Sequence, residues 1–300
     1  LYSYSIAAFA KLSCSVAILK YFSFSSQRIN SIMTAAIFYI KDGFRINKNK
    51  IMGRQVAGNS FLKAVVKYTK DSELYVYSIN QAQAEDFIRF VRSEGINKNI
   101  KFIDFENTAA LSQPGLLFYP GPDISIQSKN RSFFKDSSWS ICGVTHTTSS
   151  AEVMEGIQSL VTSPIQPWDA VICTSKSVHS NVLKIIEAEE ENVRERHKAS
   201  YFIRPQLPII PLGIHTSEFE FTKNDRENAR EFLGLQTDEI AILYVGRLSF
   251  HAKANPFPMY KALENVANRS TKKIVLIECG FYGNESIKDA FTEAFQHLAP

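Results

Sequence analysis

Short apolar runs alternate with amphipathic segments along most of this chain. The apolar runs have the length of single strands and occupy residues 34–40, 74–78, 139–144, 168–173 and 240–245. Intervening segments such as residues 81–92 carry apolar side chains three or four positions apart, which predicts helices. Alternating strands and helices favour a parallel sheet covered on both faces. The pattern therefore predicts an α/β fold.

The alternation restarts after Gly213, and a charged stretch over residues 222–238 follows. We therefore predict an N-terminal Rossmann-like domain over residues 33–221 and the start of a second such domain over residues 222–300. Residues 1–32 are rich in Ser, Tyr, Phe and Ala, and lysines interrupt their apolar pattern. We interpret them as a poorly ordered or weakly helical extension.

Composition and charge exclude several classes of protein. The chain has 300 residues, 45% of them hydrophobic and 21% charged, as in an ordinary globular protein. A net charge of +4 with scattered cations does not predict nucleic-acid binding. No apolar stretch reaches the ~18 residues that a spanning helix needs. Lys63, Lys67 and Lys70 lie among apolar residues, which fits either a peripheral membrane contact or a solvated helix face.

The four cysteines form no Cys-x-x-Cys pair and have no metal-ligand spacing. We interpret them as reduced thiols, buried in most cases, which predicts a cytoplasmic location, and we predict no metal and no cofactor. The dinucleotide fingerprint Gly-x-Gly-x-x-Gly and the Walker phosphate loop are both missing. The zinc protease and serine hydrolase motifs are missing too.

Two cations follow the apolar run 240–245. Gly246 allows the chain to turn at the carboxyl end of the predicted buried strand, where ligands bind in open α/β sheets. Arg247 follows Gly246 directly, and Lys253 follows later in the same loop. An Arg fork binds phosphate oxygens in pairs, and a Lys adds a mobile charge. The spacing predicts a site for a diphosphate, although two solvated surface cations would give the same pattern.

Two further groups follow strands in the first domain. Residues 53–58 begin and end with Gly53 and Gly58 and precede a predicted helix near residue 59, so their N–H groups are candidates for phosphate or sugar binding. A plain turn at Gly53, with close packing at Gly58, is the alternative. His146 follows the strand 139–144 and is a candidate for a site at the sheet edge. A structural histidine is the alternative there.

The order of these motifs resembles that of the retaining glycosyltransferases of family 4 (group 1). The matching segments are Gly53–Gly58, Gly143–His146, Asp169–Ser175, Pro211–Phe219, and Leu243–Leu248 with Lys253. Together they cover roughly residues 34–300. The resemblance implies a GT-B-like fold with two Rossmann-like domains, the second of which this sequence covers incompletely.

The resemblance also implies a function and residue roles. The donor would be a nucleotide-diphosphate sugar, and the acceptor a saccharide, lipid or small molecule. Arg247 and Lys253 would bind the diphosphate and stabilise its charge as the sugar leaves. His146 would be an active-site residue near the sugar and acceptor, and Gly53, Gly58, Gly213 and Gly246 would contribute to donor binding. Gly213, in the interdomain segment, would also permit a left-handed turn. The family retains anomeric configuration and usually works without a metal.

One departure from the family concerns an acidic motif of two glutamates, which lies further along the second domain than this sequence extends. We therefore expect the chain by itself to be inactive or nearly so. A non-catalytic module that binds a nucleotide or a partner protein remains an alternative. So does a sugar-nucleotide epimerase of the same architecture.

Overall fold

The computed structural model describes residues 35–46, 52–69, 72–213, 216–251, 253 and 255–298. The chain divides into two compact units, residues 1–215 and 216–300. The sequence analysis places the domain boundary after residue 221. The predicted extension over residues 1–32 lies outside the described residues.

The first unit alternates strands and helices. Its strands are β1 (Ala35–Phe38), β2 (Glu73–Ser78), β3 (Asn99–Asp104), β4 (Leu116–Phe118), β5 (Ser140–Val144) and β6 (Ala170–Ile172). Its helices are α1 (Lys41–Phe44), α2 (Gly53–Tyr68), α3 (Gln81–Ser93), α4 (Ser125–Ser132), α5 (Ala151–Gln158) and α6 (Lys176–His197), with a 3-10 turn at Thr108–Ser112. The α/β pattern of the sequence is therefore confirmed.

All six strands form one parallel sheet in the order β3-β2-β1-β4-β5-β6. Residues 206–209 extend its edge beside β6 through isolated parallel bridges. The order reverses between β1 and β4, because the chain leaves β1 towards β2 on one side and later returns to β4 on the other. This is the strand order of a Rossmann-like fold, in which ligands bind at the reversal point, beyond the carboxyl ends of the strands.

Hydrophobic residues cover both faces of this sheet. Along β1, Ala36 and Phe38 pack into one cluster while Ile37 and Tyr39 pack into the other. Successive side chains of a strand point to opposite faces, so a strand buried on both sides must be apolar throughout. This requirement explains the continuous apolar runs in the sequence.

A buried ion pair joins α4 to the loop before β6. Arg131 Nη1 and Nη2 donate to Asp169 Oδ1 and Oδ2 at 2.6 and 2.7 Å, and both side chains are fully buried. Asp169 also accepts from the backbone N–H of Ile141 and of Gln166. Asp169, which lies in a segment that resembles the family, therefore has a structural role here.

The second unit contains a two-stranded parallel sheet, β7 (Ile240–Val245) and β8 (Ile274–Cys279). Three helices accompany it, α7 (Lys223–Phe232), α8 (Pro256–Ala267) and α9 (Glu285–Leu298), and a 3-10 turn lies at Thr216–Phe219. Leu248, Ile287 and Phe291 form its small buried cluster.

The predicted burial of the strand 240–245 is wrong. The strand itself forms, but Leu243 is 61% and Val245 is 68% exposed. The reason is that, within the described residues, β8 is the one strand that pairs with β7. Cys279 at the end of β8 is likewise exposed, whereas Cys142 and Cys173 are buried as predicted. Cys14 lies outside the described residues.

We expect Asp169→Asn to destabilise the first unit by roughly 3–5 kcal/mol, because the substitution leaves the Arg131 guanidinium buried without its counter-charge. Both tryptophans of the chain, Trp139 and Trp168, belong to this unit. Urea unfolding followed by tryptophan fluorescence therefore measures its stability separately.

The matched control is Glu191→Gln, which removes the exposed partner of Arg194. It should leave the unfolding midpoint nearly unchanged, because exposed ion pairs contribute little. Equal midpoints for both variants would contradict the structural role assigned to Asp169.

Candidate functional site at the carboxyl edges of the two sheets

Residues from two connections meet at the carboxyl edge of the first sheet. Strands β1 and β5 both pair with β4 and run parallel to it. The segments that follow β1 and β5 therefore leave from the same edge of the sheet. The first contains α1 and the start of α2, and the second contains residues 145–150. This edge includes the reversal point between β1 and β4, the expected ligand position.

Residues 53–58 form the first turns of α2, so their interpretation as a glycine-rich loop is wrong. Gly53 is the first helical residue, and no side chain caps the helix at Met52. Gly58 is buried: a Cβ there would lie 2.1 Å from the carbonyl oxygen of Gly43 in α1. The close packing weighed as an alternative for Gly58 is therefore present. Donor binding by Gly53 and Gly58 stays a prediction.

Arg54 lies at the start of α2 and was missed by the sequence analysis. Its guanidinium pairs with the Asp42 carboxylate, and both side chains are more than half exposed. Gln55 Nε2 donates to the other oxygen of Asp42 at 3.2 Å, so α1 and α2 are joined at this edge. A cation in the first turn of a helix that follows a strand could have drawn attention to Arg54.

His146 follows β5 on a firmly held backbone. The preceding residue, Thr145, is fully buried, and its N–H and hydroxyl both donate to the carbonyl of Ile172 in β6, at 2.9 and 3.0 Å. The His146 ring has an exposed surface, yet loss of water around it lowers its pKa, and the nearby charge of Arg54 lowers it further. The neutral imidazole is therefore favoured at this edge.

A second charged cluster at this edge is neutralised internally. Tyr39 Oη donates to Asp86 Oδ2 at 2.5 Å, and Arg45 Nε donates to the same oxygen at 3.1 Å. Burial acts to raise the pKa of Asp86, but the hydrogen bond from Tyr39 and the charge of Arg45 hold it below its ordinary value. Arg45 is thus already paired with an anion of its own unit, Asp86.

The loop after β7 in the second unit depends on a close backbone contact. Gly246 N–H donates to the carbonyl of Cys279 at 2.9 Å, which continues the sheet by one residue. A Cβ on Gly280 would lie 1.8 Å from the carbonyl oxygen of Gly246. Position 280 therefore requires glycine, and the path of the β7 loop depends on it.

Arg247 and Lys253 both extend from this anchored loop. Leu248 and Ser249 are buried, Leu248 N–H donates to the carbonyl of Phe281 at 3.0 Å, and Lys253 N–H donates to the carbonyl of Ser249 at 2.9 Å. Both cations are exposed, and neither has an ion-pair partner among the residues that the structure describes. The loop thus presents two positive charges that the second unit itself does not neutralise.

An anionic side chain lies at the end of β8. Glu278 Oε2 accepts from the buried Tyr260 hydroxyl at 2.8 Å, and burial together with Glu278 raises the pKa of that tyrosine.

Gly213, predicted to allow a left-handed turn, is exposed and has no φ in the left-handed region. Its predicted turn is therefore not formed at this residue.

The described residues contain neither a candidate membrane-spanning helix nor a candidate metal site. No helix there is long and apolar enough to cross a bilayer. No group of three or more His, Cys, Asp or Glu side chains in the same ranges has the geometry to bind a metal ion.

We expect His146 to titrate below the ordinary value of 6.5. The variant Arg54→Gln should raise that pKa, because it removes the nearby positive charge. NMR titration of the imidazole signals measures both values. Because the folded chain favours the neutral ring, His146 contributes a stability that is lost as the pH falls below about 6.5.

Arg92→Gln is the matched control for this titration, because Arg92 lies in the last turn of α3, at the amino edge of the same sheet. It should leave the His146 pKa unchanged. An unshifted His146 pKa in Arg54→Gln would contradict the electrostatic coupling.

We expect Gly280→Ala to disturb the β7 loop, because its methyl group would overlap the Gly246 carbonyl. Overpacking of this kind costs about 1–3 kcal/mol. Hydrogen exchange of peptides covering residues 240–251 should speed up. In the control Gly283→Ala, the new methyl would make an ordinary 3.4 Å contact with Ile287, and exchange should stay as in the parent chain.

No family model matches this sequence, and no curated protein matches it significantly. Among solved structures, the chain is similar to HepE from Anabaena in complex with UDP, at a TM-score of 0.56 and 13% identity, over 89% of this chain and 66% of HepE. The complexes with UDP and glucose and with UDP-glucose match at a TM-score of 0.53 and 12% identity. The chain thus spans just under two thirds of the length of HepE. The similarity confirms the predicted fold class, which is α/β, Rossmann-like and GT-B-like.

Proposed function

We propose that this chain belongs to a retaining glycosyltransferase, and that its second unit binds the diphosphate of a nucleotide-sugar donor. The loop Gly246–Lys253 carries the proposal, since it holds two exposed cations at the carboxyl end of a strand, and neither has an ion-pair partner among the residues that the structure describes. The UDP and UDP-glucose complexes of HepE support the same class of donor.

The chemistry of sugar departure requires such cations. As the bond between C1 of the sugar and the phosphate oxygen lengthens, negative charge grows on the diphosphate. Arg247 offers two parallel N–H donors to phosphate oxygens, and Lys253 offers a flexible point charge. Fixed donors of this kind are worth roughly 3–4 kcal/mol of transition-state stabilisation each.

The transfer step itself needs no separate base on the protein. The bond between C1 and the phosphate oxygen breaks while a bond from C1 to the acceptor oxygen forms on the same face. The proton of the acceptor hydroxyl goes to the departing phosphate oxygen. We assign His146 to the sugar and acceptor, where its lowered pKa favours a neutral ring that donates a hydrogen bond without adding charge.

The start of α2 is assigned to the same reaction. The first N–H groups of a helix attract anions, and Gly53 leaves the start of α2 without a side chain in the way. Gly58 would act indirectly, since its contact with Gly43 sets the position of that helix end. We also assign Gly213, in the segment that precedes the second unit, to donor binding. We propose a cytoplasmic reaction, which fits the reduced Cys142 and Cys173, and an acceptor that is a saccharide, a lipid or a small molecule.

We expect the chain to bind UDP, and Arg247→Ala to weaken binding roughly 10- to 100-fold, because hydrogen bonds to charged groups contribute about 1.5–3 kcal/mol. Arg247→Lys should recover only part of the affinity, since lysine keeps the charge but loses the planar fork. Isothermal titration with UDP, GDP and ADP measures these affinities and identifies the base.

Arg269→Ala and Lys272→Ala are the matched controls. Both residues are exposed cations between α8 and β8, at the opposite edge of the same sheet. They should leave UDP affinity unchanged. No binding of any nucleoside diphosphate, or equal losses in Arg247→Ala and Arg269→Ala, would refute the proposed donor site.

A further inference from the structure

Helix α4 has its polarity reversed relative to an ordinary surface helix. It buries four polar residues, namely Ser125, Gln127, Ser128 and Arg131. By contrast, Ile126 is 54% exposed, and Phe133, which continues the helical backbone as its C-cap, is 85% exposed. A surface helix normally places its apolar stripe against the core and its polar face in water. The exposed apolar face of α4 therefore requires an explanation.

Hydrogen bonds on the buried side fix the rotation of α4. Arg131 is held by Asp169, by the carbonyl of Trp139 at 2.9 Å and by the carbonyl of Pro164 at 3.2 Å. The buried Ser128 is satisfied within the helix itself, because its Oγ donates to the carbonyl of Ser125 at 2.7 Å. Turning the helix to bury Ile126 would break the buried ion pair, so the apolar side chains stay outside in the folded chain.

The exposed side chains on α4 and directly after it are here together called the α4 surface. Ile126, Lys129 and Phe133 occupy positions i, i+3 and i+7 and so share one helical face. Phe134 comes next, 46% exposed, with its ring centroid 5.7 Å from that of Trp139, and the exposed Lys135 follows it. The α4 surface thus combines three apolar side chains with two lysines.

We propose that the α4 surface docks peripherally on an anionic lipid bilayer. Aromatic and aliphatic side chains enter the boundary between headgroups and acyl chains, while neighbouring lysines extend towards the anionic headgroups. Each lysine close to an anionic bilayer is attracted to it. Opposing negative charge is small, because Asp136 is the only acidic residue over residues 125–139. The buried Arg131 network holds the surface rigid, so docking needs little ordering of the protein.

This site differs from the membrane contact considered for Lys63, Lys67 and Lys70. Phe61 and Leu62, which accompany those lysines, pack into the protein and leave no comparable apolar surface. Lys70 itself lies outside the described residues. The α4 surface is also separate from Arg247 and Lys253 in sequence and unit, so it can be tested without any nucleotide.

The test is sedimentation of the full chain with vesicles of phosphatidylcholine, with and without ~30% phosphatidylglycerol. We expect binding to the anionic vesicles, and weakening of that binding by salt. The double variant Ile126→Ser/Phe133→Ser should lower the partition coefficient roughly tenfold or more, because it removes apolar surface from the bilayer. Lys129→Gln/Lys135→Gln should lower binding to anionic vesicles by a similar factor.

The controls are Phe232→Ser, at a phenylalanine that is 89% exposed on α7, and Lys223→Gln, at a lysine whose side chain is 90% exposed. Both should bind as the parent chain does. All four positions altered on the α4 surface are exposed, and tryptophan fluorescence checks that the first unit remains folded. The proposal is overturned if the parent chain ignores anionic vesicles, or if the α4 variants lose no more binding than the controls. It is also overturned if Phe133 instead supports a concentration-dependent dimer that excludes vesicles.

Discussion

Parallel pairing of β1 with both β2 and β4 is the constraint on which the candidate site of the first unit depends. It forces the chain to leave β1 on one side and return on the other, so the order of strands reverses beside β1. All six strands then end at the same edge. Only this arrangement brings Arg54, which follows β1, within electrostatic reach of His146, which follows β5, across about 90 residues of sequence.

Much of this framework could be predicted from the sequence, because its causes are local. A strand buried on two faces must be apolar throughout, and the apolar runs locate the strands for that reason. The amphipathic spacing of residues 81–92 predicted α3 correctly, because the helical period and the buried face of a helix depend on residues close together in the sequence. Gly246 at the end of β7 was recognisable because the strand pattern stops there.

What the sequence could not predict depends on distant contacts. The start of α2 has no capping side chain at Met52, so nothing local distinguished a helix from a glycine-rich loop at Gly53. The partner of Arg131 lies 38 residues away, and an ion pair has no periodicity to detect. The apolar run of β7 predicted a strand correctly, but its burial depends on which other strands lie beside it.

The Arg131 pair shows how a polar interaction inside the protein changes its surface. A buried guanidinium needs its counter-charge and most of its hydrogen bonds satisfied, and it therefore dictates the rotation of α4. Burying one apolar side chain stabilises a fold by about 1.5–3 kcal/mol. Breaking a buried ion pair costs more than burying one such side chain would gain. The helix therefore keeps its arginine inside and leaves Phe133 in solvent.

The cations at the two candidate edges differ in whether they already have an anionic partner. In the first unit, Arg45 and Arg131 are paired with carboxylates of their own unit, and Arg54 is paired with Asp42. A cation already paired must lose that partner before it can bind an anionic ligand, which cancels much of the gain. Arg247 and Lys253 have no such partner within the described residues, so a diphosphate would meet them without that cost. Under the proposed function, Arg247 and Lys253 would therefore neutralise the diphosphate, and His146, with its neutral imidazole, would orient uncharged hydroxyl groups.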